Sequence, residues 1–386
     1  MAVAATTTTP QLRAGTGYWV SSARWDLFWM FSAVWGSALC FAAVVALGTK
    51  QAGVLLFSIG TALAICHSWS TTYVVIASRV LREARRRNRV KFTVVPIAVV
   101  VGSLALGYAV GATGSLPRQF PLTTGQSLWV LYLALFWIGH FWHFGNQDFG
   151  VLSIYRAKAG QTTLRARQID KAYAVAMMFV IQPCVYFKSL AFSPLGEAFF
   201  SFAPVPPEWV AIVAAWAAAS AVGLTVAVIA HELREPHPSL PKLIYYLVMC
   251  SHPLLVYFLY WNIAFFYIVA YFWSHWLVAI GLVGRIHANF QRAAGATPAR
   301  ALLRHVTRLG VWVGLAWSFY RGFDSYNLFS GRAYKEVLSA VAPEWAGVVG
   351  LVMGAFLAEQ LLHYYCDRCL FRFRDPDVRR AVAPLL

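Results

Sequence analysis

One stretch of the sequence constrains the fold more than any other. Residues 128–158 read LWVLYLALFWIGHFWHFGNQDFGVLSIYRAK and begin as an apolar run. Because an α-helix rises about 1.5 Å per residue, this run is long enough to cross a bilayer. Polar side chains then follow inside the same helical segment: His140, His143, Asn146, Gln147 and Asp148. Polar groups are costly at that depth and usually face the interior of a bundle, so the stretch predicts a functional site inside a membrane helix.

Helical geometry places part of this set on one side of the helix. His140, His143 and Gln147 are spaced i, i+3 and i+7 and therefore share one face. Two imidazoles one helical turn apart can bind the same metal ion, so this face is a candidate metal site.

Composition places that helix in a polytopic membrane protein. Hydrophobic residues make up 59% of the 386 positions and charged residues only 12%, compared with about a quarter in soluble domains. We therefore predict an all-α fold, a single transmembrane helical bundle. Its predicted parts are a flexible cytoplasmic N-terminus at residues 1–24, the bundle at residues 25–365 and a basic cytoplasmic tail at residues 366–386. The first part lacks an apolar core, so no cleavable signal peptide is expected.

Apolar runs in the sequence predict about ten membrane helices. The ninth run is short, and the seventh and eighth are nearly continuous. One long bent helix is therefore an alternative, which would move the C-terminus to the other side of the membrane. The runs are residues 25–47, 54–78, 92–112, 128–155, 173–190, 209–230, 243–260, 263–284, 309–319 and 345–365.

Basic residues predict the orientation of the bundle. Clusters of Lys and Arg follow the even-numbered spans, whereas the other loops carry few charges, with residues 321–335 as the exception. Cytoplasmic loops are enriched in Lys and Arg, so both termini are expected in the cytoplasm, and the protein is expected in a bacterial inner membrane. The net charge of +17 then fits anionic membrane lipid as a partner rather than nucleic acid.

The histidines give the most specific prediction. Counted back from the basic clusters, five histidines fall at a similar depth in four different predicted helices. A metal site built from the facing helices of a bundle requires a shared depth, whereas separate hydrogen bonds between helices do not. The predicted metal ligands are His67, His140, His143, His275, His363 and Asp367.

Carboxylates lie at the same depth. Glu359, His363 and Asp367 are spaced i, i+4 and i+8 along one stripe, and Asp148 follows His143 in its helix. An acid four residues from a ligating histidine can bind the metal or fix the tautomer of the imidazole. The residues expected to bridge or orient the ligands are Glu359, Asp148 and Gln147. Imidazole with carboxylate oxygen suits iron or zinc, and we favour iron, with one or two ions.

Other candidates are less specific. Cys366 and Cys369 form a CxxC without a second pair, and two incidental thiols explain it as well as a metal or redox site does. His252 precedes a proline and is interpreted as part of a helix kink. Tryptophans beside the candidate ligands could line an apolar substrate cavity or simply fill the bundle core: Trp69, Trp137, Trp142, Trp273 and Trp276.

The layout resembles two families of membrane enzymes. The motif HFWH at His140–His143 is the nearest element to the histidine boxes of the fatty-acid desaturases and hydroxylases, although the HxxxH and HxxHH boxes are absent. Single histidines in separate helices are similar to those of the bacterial membrane dioxygenases that cleave carotene to retinal. The patterns HFGNQDFG (143–150) and HYYCDRCLFR (363–372) resemble those of uncharacterised bacterial membrane proteins. The resemblance implies a non-haem iron held by histidines within the membrane.

These observations predict an integral-membrane, iron-dependent oxidoreductase. Its substrate would be lipid-like, an acyl chain, an isoprenoid or a carotenoid, and would be desaturated, hydroxylated or oxidatively cleaved. The sequence has no Rossmann motif, P-loop or CxxCH, so electrons would come from an external donor. Three alternatives are a proton- or ion-coupled transporter with a relay of histidines and acids, a haem-binding membrane redox protein, and a hydrolase that uses zinc.

Overall fold

The computed structural model describes residues 18–113, 123–191, 206–259, 261–295, 343–371 and 375–386, together with residues 297, 304 and 310. Within these ranges the chain is helical and contains no strand, which confirms the predicted all-α class. The helices are α1 (Ala23–Trp29), α2 (Ser32–Ile76), α3 (Arg82–Arg87), α4 (Val95–Thr113), α5 (Thr124–Lys158), α6 (Leu164–Val175), α7 (Gln182–Ala191), α8 (Pro207–Glu232), α9 (Leu240–Phe258), α10 (Trp261–Ala293), α11 (Ala346–Leu370) and α12 (Pro376–Val382). π-helical turns precede α4 at Val90–Val94 and join α6 to α7 at Ala176–Ile181.

Seven helical segments are long and apolar enough to cross a membrane, and we therefore describe the chain as a membrane protein. They are Ser32–Thr49, Gln51–Ile76, Val90–Thr113, Thr124–Lys158, Glu208–Glu232, Phe266–Ala293 and Ala346–Leu370. The predicted total of about ten is not confirmed. The fifth and seventh predicted runs form α6 to α7 and α9, which are not among these seven, and the ninth lies almost entirely outside the described residues.

The local sequence determines both ends of α5, the helix that contains residues 128–158. Thr123 accepts a hydrogen bond from the backbone N–H of Gln126, and the Gln126 side chain accepts one from the N–H of Thr123, which is a capping box. At the other end, Arg156 and Lys158 interact favourably with the helix dipole, and Gly160 continues the chain with a φ of 71°. The capped helix is 35 residues long, so it exceeds the ~20 residues that a bilayer crossing requires.

Helix α2 reverses direction at Gly48. This residue has φ 74° and ψ 164°, a conformation that glycine adopts without the steric penalty of a Cβ. The two halves of α2 pack along α10 in opposite directions, as these neighbours show: Ser32 with Ser274, Gly36 with Ala270, Gly53 with Phe266 and Gly60 with Trp273. The α2 hairpin therefore supplies the first two predicted spans, and its second half carries His67 alongside α10.

Helix α10 is the central helix of the described bundle. Its candidate span is 83% buried, compared with 22% to 44% for the other candidate spans. It is also separate from α9, because Leu259 directly after α9 has extended backbone angles (φ −80°, ψ 148°). The seventh and eighth predicted runs are thus two helices rather than one bent helix. His275, near the middle of α10, is shielded from lipid by the helices around it.

Helices α4 and α11 touch through their backbones. A Cβ placed on Gly107 would lie 2.3 Å from the backbone nitrogen of Gly354, and one placed on Gly350 would lie 2.2 Å from the carbonyl oxygen of Gly107. Gly111 continues this contact one turn further along α4. Small residues allow such an approach in membranes, where helices associate largely through van der Waals packing. The contact fixes the position of α11, which carries the predicted ligand His363.

A buried ionic cluster joins α6, α8 and α9. Lys242 Nζ lies 2.7 Å from an oxygen of Glu232 and 3.0 Å from Oδ1 of Asp170. Arg156 donates to the other oxygen of Asp170 at 2.9 Å, and Gln161 donates to Glu232 at 2.7 Å. Buried carboxylates are tolerated when they are paired, and here two cations face two anions. The cluster therefore holds these three helices together at one end of the bundle.

Helix α11 extends into the region predicted as a tail from residue 366. It continues to Leu370, and Cys366 and Asp367 are both buried within it. The following helix α12 is capped by Asp375, whose side chain also accepts a hydrogen bond from Lys91 Nζ at 2.7 Å. The first residues of the predicted tail therefore belong to the bundle, and α12 packs beside the start of α4.

Candidate metal centre

Four helices each bring one buried histidine to the same place. His67 lies on α2, His143 on α5, His275 on α10 and His363 on α11, and none is more than 6% exposed. Their ring centroids are 4.7 to 5.9 Å apart in the five pairs that are in contact. The backbone groups of these residues are used within their helices, so the ring nitrogens are what each residue offers to a ligand. The histidine cluster, as we call these four residues, thus lies at one depth in the bundle.

Asp367 adds a carboxylate to the histidine cluster. Its Oδ2 lies 3.5 Å from Nε2 of His143 and 3.7 Å from Nε2 of His67. One ligand atom from each of His67, His143, His363 and Asp367 lies within 4.8 Å of the others. Two atoms bound to one metal through bonds of about 2.0–2.2 Å can be up to ~4.4 Å apart. This buried group could therefore hold a metal ion after a small contraction.

His275 is the nearest further nitrogen donor. Its Nε2 lies 3.1 Å from Nε2 of His143, and the ring of Phe144 stacks on its imidazole with centroids 3.6 Å apart. Gln147 donates a hydrogen bond to the carbonyl oxygen of His275 at 2.8 Å. The ring and the backbone of His275 are therefore both held in position by α5, the helix that carries His143.

Six donor atoms of His67, His363 and Asp367 make no hydrogen bond within the described residues. They are both ring nitrogens of His67 and His363 and both carboxylate oxygens of Asp367, and all of them are buried. Leaving one buried polar group unpaired costs about 1–3 kcal/mol, whereas a whole domain is stable by only ~5–15 kcal/mol. A cation bound between these atoms would offset that cost. Imidazole nitrogen with carboxylate oxygen is a donor set that suits iron or zinc.

His140 lies beside the histidine cluster and not among its grouped ligand atoms. Its Nδ1 is 3.0 Å from the hydroxyl of Tyr364, and the Tyr364 ring stacks on His143 with centroids 4.5 Å apart. Residues three apart on a helix differ by about 60° in direction, which is enough to turn His140 toward Tyr364. His140 is therefore placed to orient Tyr364, whose ring packs on His143.

The other residues predicted to assist the metal also lie outside the grouped ligand atoms. Gln147 contacts the backbone of His275, and Asp148 accepts a 2.5 Å hydrogen bond from the hydroxyl of Tyr245. Glu359 is half-buried one turn before His363. Of the three, Gln147 and Asp148 line a small cavity beside His275.

The structure places the two cysteines of the CxxC motif in the core, whereas the tryptophans lie partly in the core and partly on the surface. Cys366 and Cys369 are buried in an apolar cluster and form no disulfide. Trp137 and Trp142 are 37% and 43% exposed on the outer surface of α5, so they do not wall a cavity. Trp273 is buried and packs against the α2 hairpin.

Three aromatic residues around the cluster are absent from the sequence prediction: Phe144, Tyr245 and Tyr364. Tyr364 directly follows His363, and Phe144 directly follows His143. For Phe144 and Tyr364, adjacency to a histidine was the only signal in the sequence that they lie near the site. That signal is weak, because a side chain next to a ligand in a helix points about 100° away from it. Phe144 and Tyr364 reach the cluster because they stack on imidazoles of other helices, whereas Tyr245 contacts the neighbouring Asp148.

Comparison of the chain with protein-family models, with curated proteins and with solved structures found no match. Functional inference therefore depends on the geometry of the histidine cluster and its surroundings.

Proposed function

We propose that this protein is an integral-membrane, metal-dependent oxidoreductase that holds a non-haem iron ion at the histidine cluster. His67, His143, His363 and Asp367 would be the core ligands, with His275 as a further ligand. The single observation that supports this most strongly is the set of buried nitrogen and oxygen atoms that face one another without protein partners. A divalent cation would bind one nitrogen of each imidazole together with a carboxylate oxygen, and it is the simplest partner for these atoms.

The number of donors favours iron over zinc. Structural zinc sites are almost always four-coordinate, and catalytic zinc sites use three protein ligands. Here three imidazoles and one carboxylate supply the grouped ligand atoms, and a fourth imidazole, that of His275, lies 3.1 Å from His143 as a further donor. Non-haem iron accommodates five or six ligands of this type, and one open position is enough to bind dioxygen. Iron bound here would supply one-electron chemistry with dioxygen, which none of the chain's own side chains provides.

The spacing of the rings favours a bare ion over haem. Imidazoles that ligate one haem lie on opposite faces of a porphyrin plane. In this cluster Asp367 stands 3.5 and 3.7 Å from two of the imidazoles, and the ring centroids are at most 5.9 Å apart. A porphyrin has no space between rings that are already in contact with one another and with a carboxylate.

The membrane setting supports a lipid-like substrate. The cluster lies among helices whose outer faces carry exposed apolar side chains, for example Trp142 on α5. An acyl chain, isoprenoid or carotenoid reaches such a site by moving within the bilayer. The protein's own residues would keep bulk water out and position the ligands, with Phe144 and Tyr364 packed on the imidazoles. Membrane lipid and an external electron donor are the proposed partners, and an inner membrane with both termini in the cytoplasm is the proposed location.

The first experiment is metal analysis of the purified protein, paired with one variant. Wild-type protein, purified in detergent from cells grown with added iron, should contain iron in near-stoichiometric amount. His363→Gln should lose most of it, because an amide is a weak metal ligand. His231→Gln is the matched control, since His231 lies at the end of α8 and pairs with Glu235 rather than with the cluster.

The second experiment separates an enzyme from a passive metal site. Reduced wild-type protein should consume dioxygen, and lipids extracted afterwards should show new unsaturation or added oxygen by mass spectrometry. Stoichiometric iron without dioxygen consumption would contradict the oxidoreductase. Wild-type protein that contains no metal, yet moves a solute across liposome membranes, would favour the transporter.

A further inference from the structure

A small cavity lies directly beside the histidine cluster. It is formed between α5, α9 and α10 and has room for about one water molecule. His275 forms part of its wall, and the remaining wall is a mixture of polar and apolar side chains. Its polar members are Gln147, Asp148, Tyr245, Tyr271 and Ser274. A buried cavity of this size is dry when its wall is apolar and hydrated when two to four polar groups face it, so this wall favours water.

One polar atom in this wall has no protein partner. Gln147 donates through Nε2 to His275, but its Oε1 is buried and accepts no hydrogen bond within the described residues. The Ser274 hydroxyl lies 3.2 Å from that of Ser32, whose single proton also has the carbonyl oxygen of Trp29 at 2.9 Å. As a hydroxyl in the cavity wall, Ser274 can either accept a hydrogen bond from a water or donate one to it. Asp148 uses one carboxyl oxygen to accept from Tyr245, and its second oxygen is available on the same residue. These groups are the partners that a bound water needs.

We propose that this cavity binds a water molecule through Gln147, Asp148 and Ser274, and that Asp148 exchanges protons with the metal centre through this water. The second part rests on the proposed function, because reduction of dioxygen or of a substrate consumes protons at the metal. The first part, the water site, is independent of any metal.

The proton step involves only O–H bonds. A proton leaves the carboxyl group of Asp148 and is accepted by the water, and one of the water's own protons passes to the acceptor that reacts at the metal centre. The water is unchanged, no electron moves in this step, and the carboxylate left on Asp148 is stabilised by the hydrogen bond from Tyr245. Asp148 is thus a relay residue, since it is not among the grouped ligands.

A line of buried polar groups leads from Asp148 away from the metal. The rings of Tyr245 and Tyr155 lie with centroids 6.3 Å apart, and the Tyr155 hydroxyl donates to Asp26 at 2.9 Å. Asp26 lies in α1, outside the candidate spans, and also accepts from the backbone N–H groups of Val20 and Ser21. Burial raises the pKa of Asp26, although these hydrogen bonds act in the opposite direction. Within the described residues Tyr245 and Tyr155 meet through their rings and not through a hydrogen bond, so a polar region rather than a continuous proton path extends from Asp148 toward Asp26.

The water site is tested first by an experimental structure of the wild-type protein at a resolution that shows ordered water. Density for a water within hydrogen-bond distance of Gln147 Oε1 and Asp148 would support the site. A dry cavity, or one filled by an apolar molecule, would overturn it. This result does not depend on whether metal is bound.

The relay is tested in iron-loaded protein by reducing the metal in weakly buffered solution and following proton uptake with a pH-indicator dye. Asp148→Asn should retain its iron and take up protons at least about 100-fold more slowly, the lower end of the range that positioned acids contribute. Tyr246→Phe is the control, because the neighbouring Tyr246 donates to Asp170 and not to Asp148.

The outcomes of this test are distinct. Normal proton uptake by Asp148→Asn with full iron content would overturn the relay and leave Asp148 as a partner of Tyr245 only. Absence of iron from wild-type protein would overturn the proposed function and with it the relay, whereas the structure would still decide the water site.

Discussion

The Nε2 atoms of His143 and His275 lie 3.1 Å apart, although the two residues are 132 positions apart in the chain. Two nitrogens on one ion, with bonds of about 2.0–2.1 Å, are ~2.8–3.4 Å apart when the angle at the metal is between 90° and 109°. The observed separation falls in this interval. A direct hydrogen bond between two neutral imidazoles explains the same distance. The metal content of histidine variants distinguishes this explanation from a shared metal ion.

His143→Ala should abolish stoichiometric metal binding, because it removes a ligand whose imidazole contacts each of the other three rings of the cluster. His140→Ala, one turn away, should weaken binding by no more than about 10- to 100-fold, the range typical of residues that orient ligands. Metal titration of the two purified variants measures the difference. Equal loss in both would make His140 a direct ligand, and full metal content in His143→Ala would show that the site is misplaced.

Replacing both Cys366 and Cys369 by serine should leave the metal content unchanged. The two thiols lie in an apolar cluster of α11, and the cluster of nitrogen and oxygen donors does not need sulfur. The double variant is compared with wild-type protein by elemental analysis. If iron is lost while the helical content is retained, the CxxC motif belongs to the metal site.

Gly107→Ala should destabilise the protein by about 1–3 kcal/mol, as overpacking does in other close contacts. The added methyl group would lie 2.3 Å from the backbone of α11, which has no flexible side chain to move away. Gly102→Ala on the same helix is the control, because a Cβ there meets nothing within 4 Å. Thermal unfolding of the two variants in the same detergent gives the comparison, and equal melting temperatures would contradict the backbone contact.

Lys242→Met should lower stability by about 3–5 kcal/mol, because it leaves the carboxylates of Asp170 and Glu232 buried with one positive partner fewer. Lys171→Met, at an exposed position on α6, should change stability by less than about 0.5 kcal/mol. Denaturant or thermal unfolding measures both. A small effect of Lys242→Met would mean that water reaches this cluster.

Asp375→Ala should destabilise the packing of α12 in a manner that depends on pH. Burial acts to raise the pKa of Asp375, but the hydrogen bonds from Lys91 and from the backbone of Val378 outweigh it and lower the pKa. The stabilisation is therefore fully present above the ordinary pKa of about 3.9 and is lost as the pH falls through the lowered value. Wild type and variant should differ by about 1 kcal/mol at neutral pH and converge in acid. A constant difference across this range would contradict an ionic contribution.

The depth of the histidine cluster could be predicted from the sequence. Hydrophobic runs and basic clusters fix where each helix crosses the membrane, so His67, His143, His275 and His363 could be assigned to one level by counting residues. Rotation about each helix axis could not be predicted in this way, because it is set by packing against neighbours. For this reason His140 and His143 were predicted together, whereas only His143 faces the other imidazoles.

Polar groups at the ends of helices were harder to predict than those in the middle. Asp170 and Lys242 lie in short polar segments that are typical of solvated loops, and nothing in their spacing indicates that both are buried. Their pairing depends on how α6 and α9 meet in space. The reversal at Gly48 was likewise visible only as a gap between two apolar runs, since a single glycine inside an apolar stretch is common in membrane helices.

The contact between Gly107 and Gly354 has a consequence for how the site responds to its surroundings. Helices α4 and α11 are in backbone-to-backbone contact at these glycines. They therefore move together as a rigid unit, because no side-chain rotamer between them can change to absorb a displacement. Thinning or thickening of the bilayer would then tilt α4 and α11 together and carry His363 and Asp367 toward or away from the imidazoles of α2 and α5. The affinity of the centre for its ion would in that case vary with the lipid composition in which the protein is reconstituted.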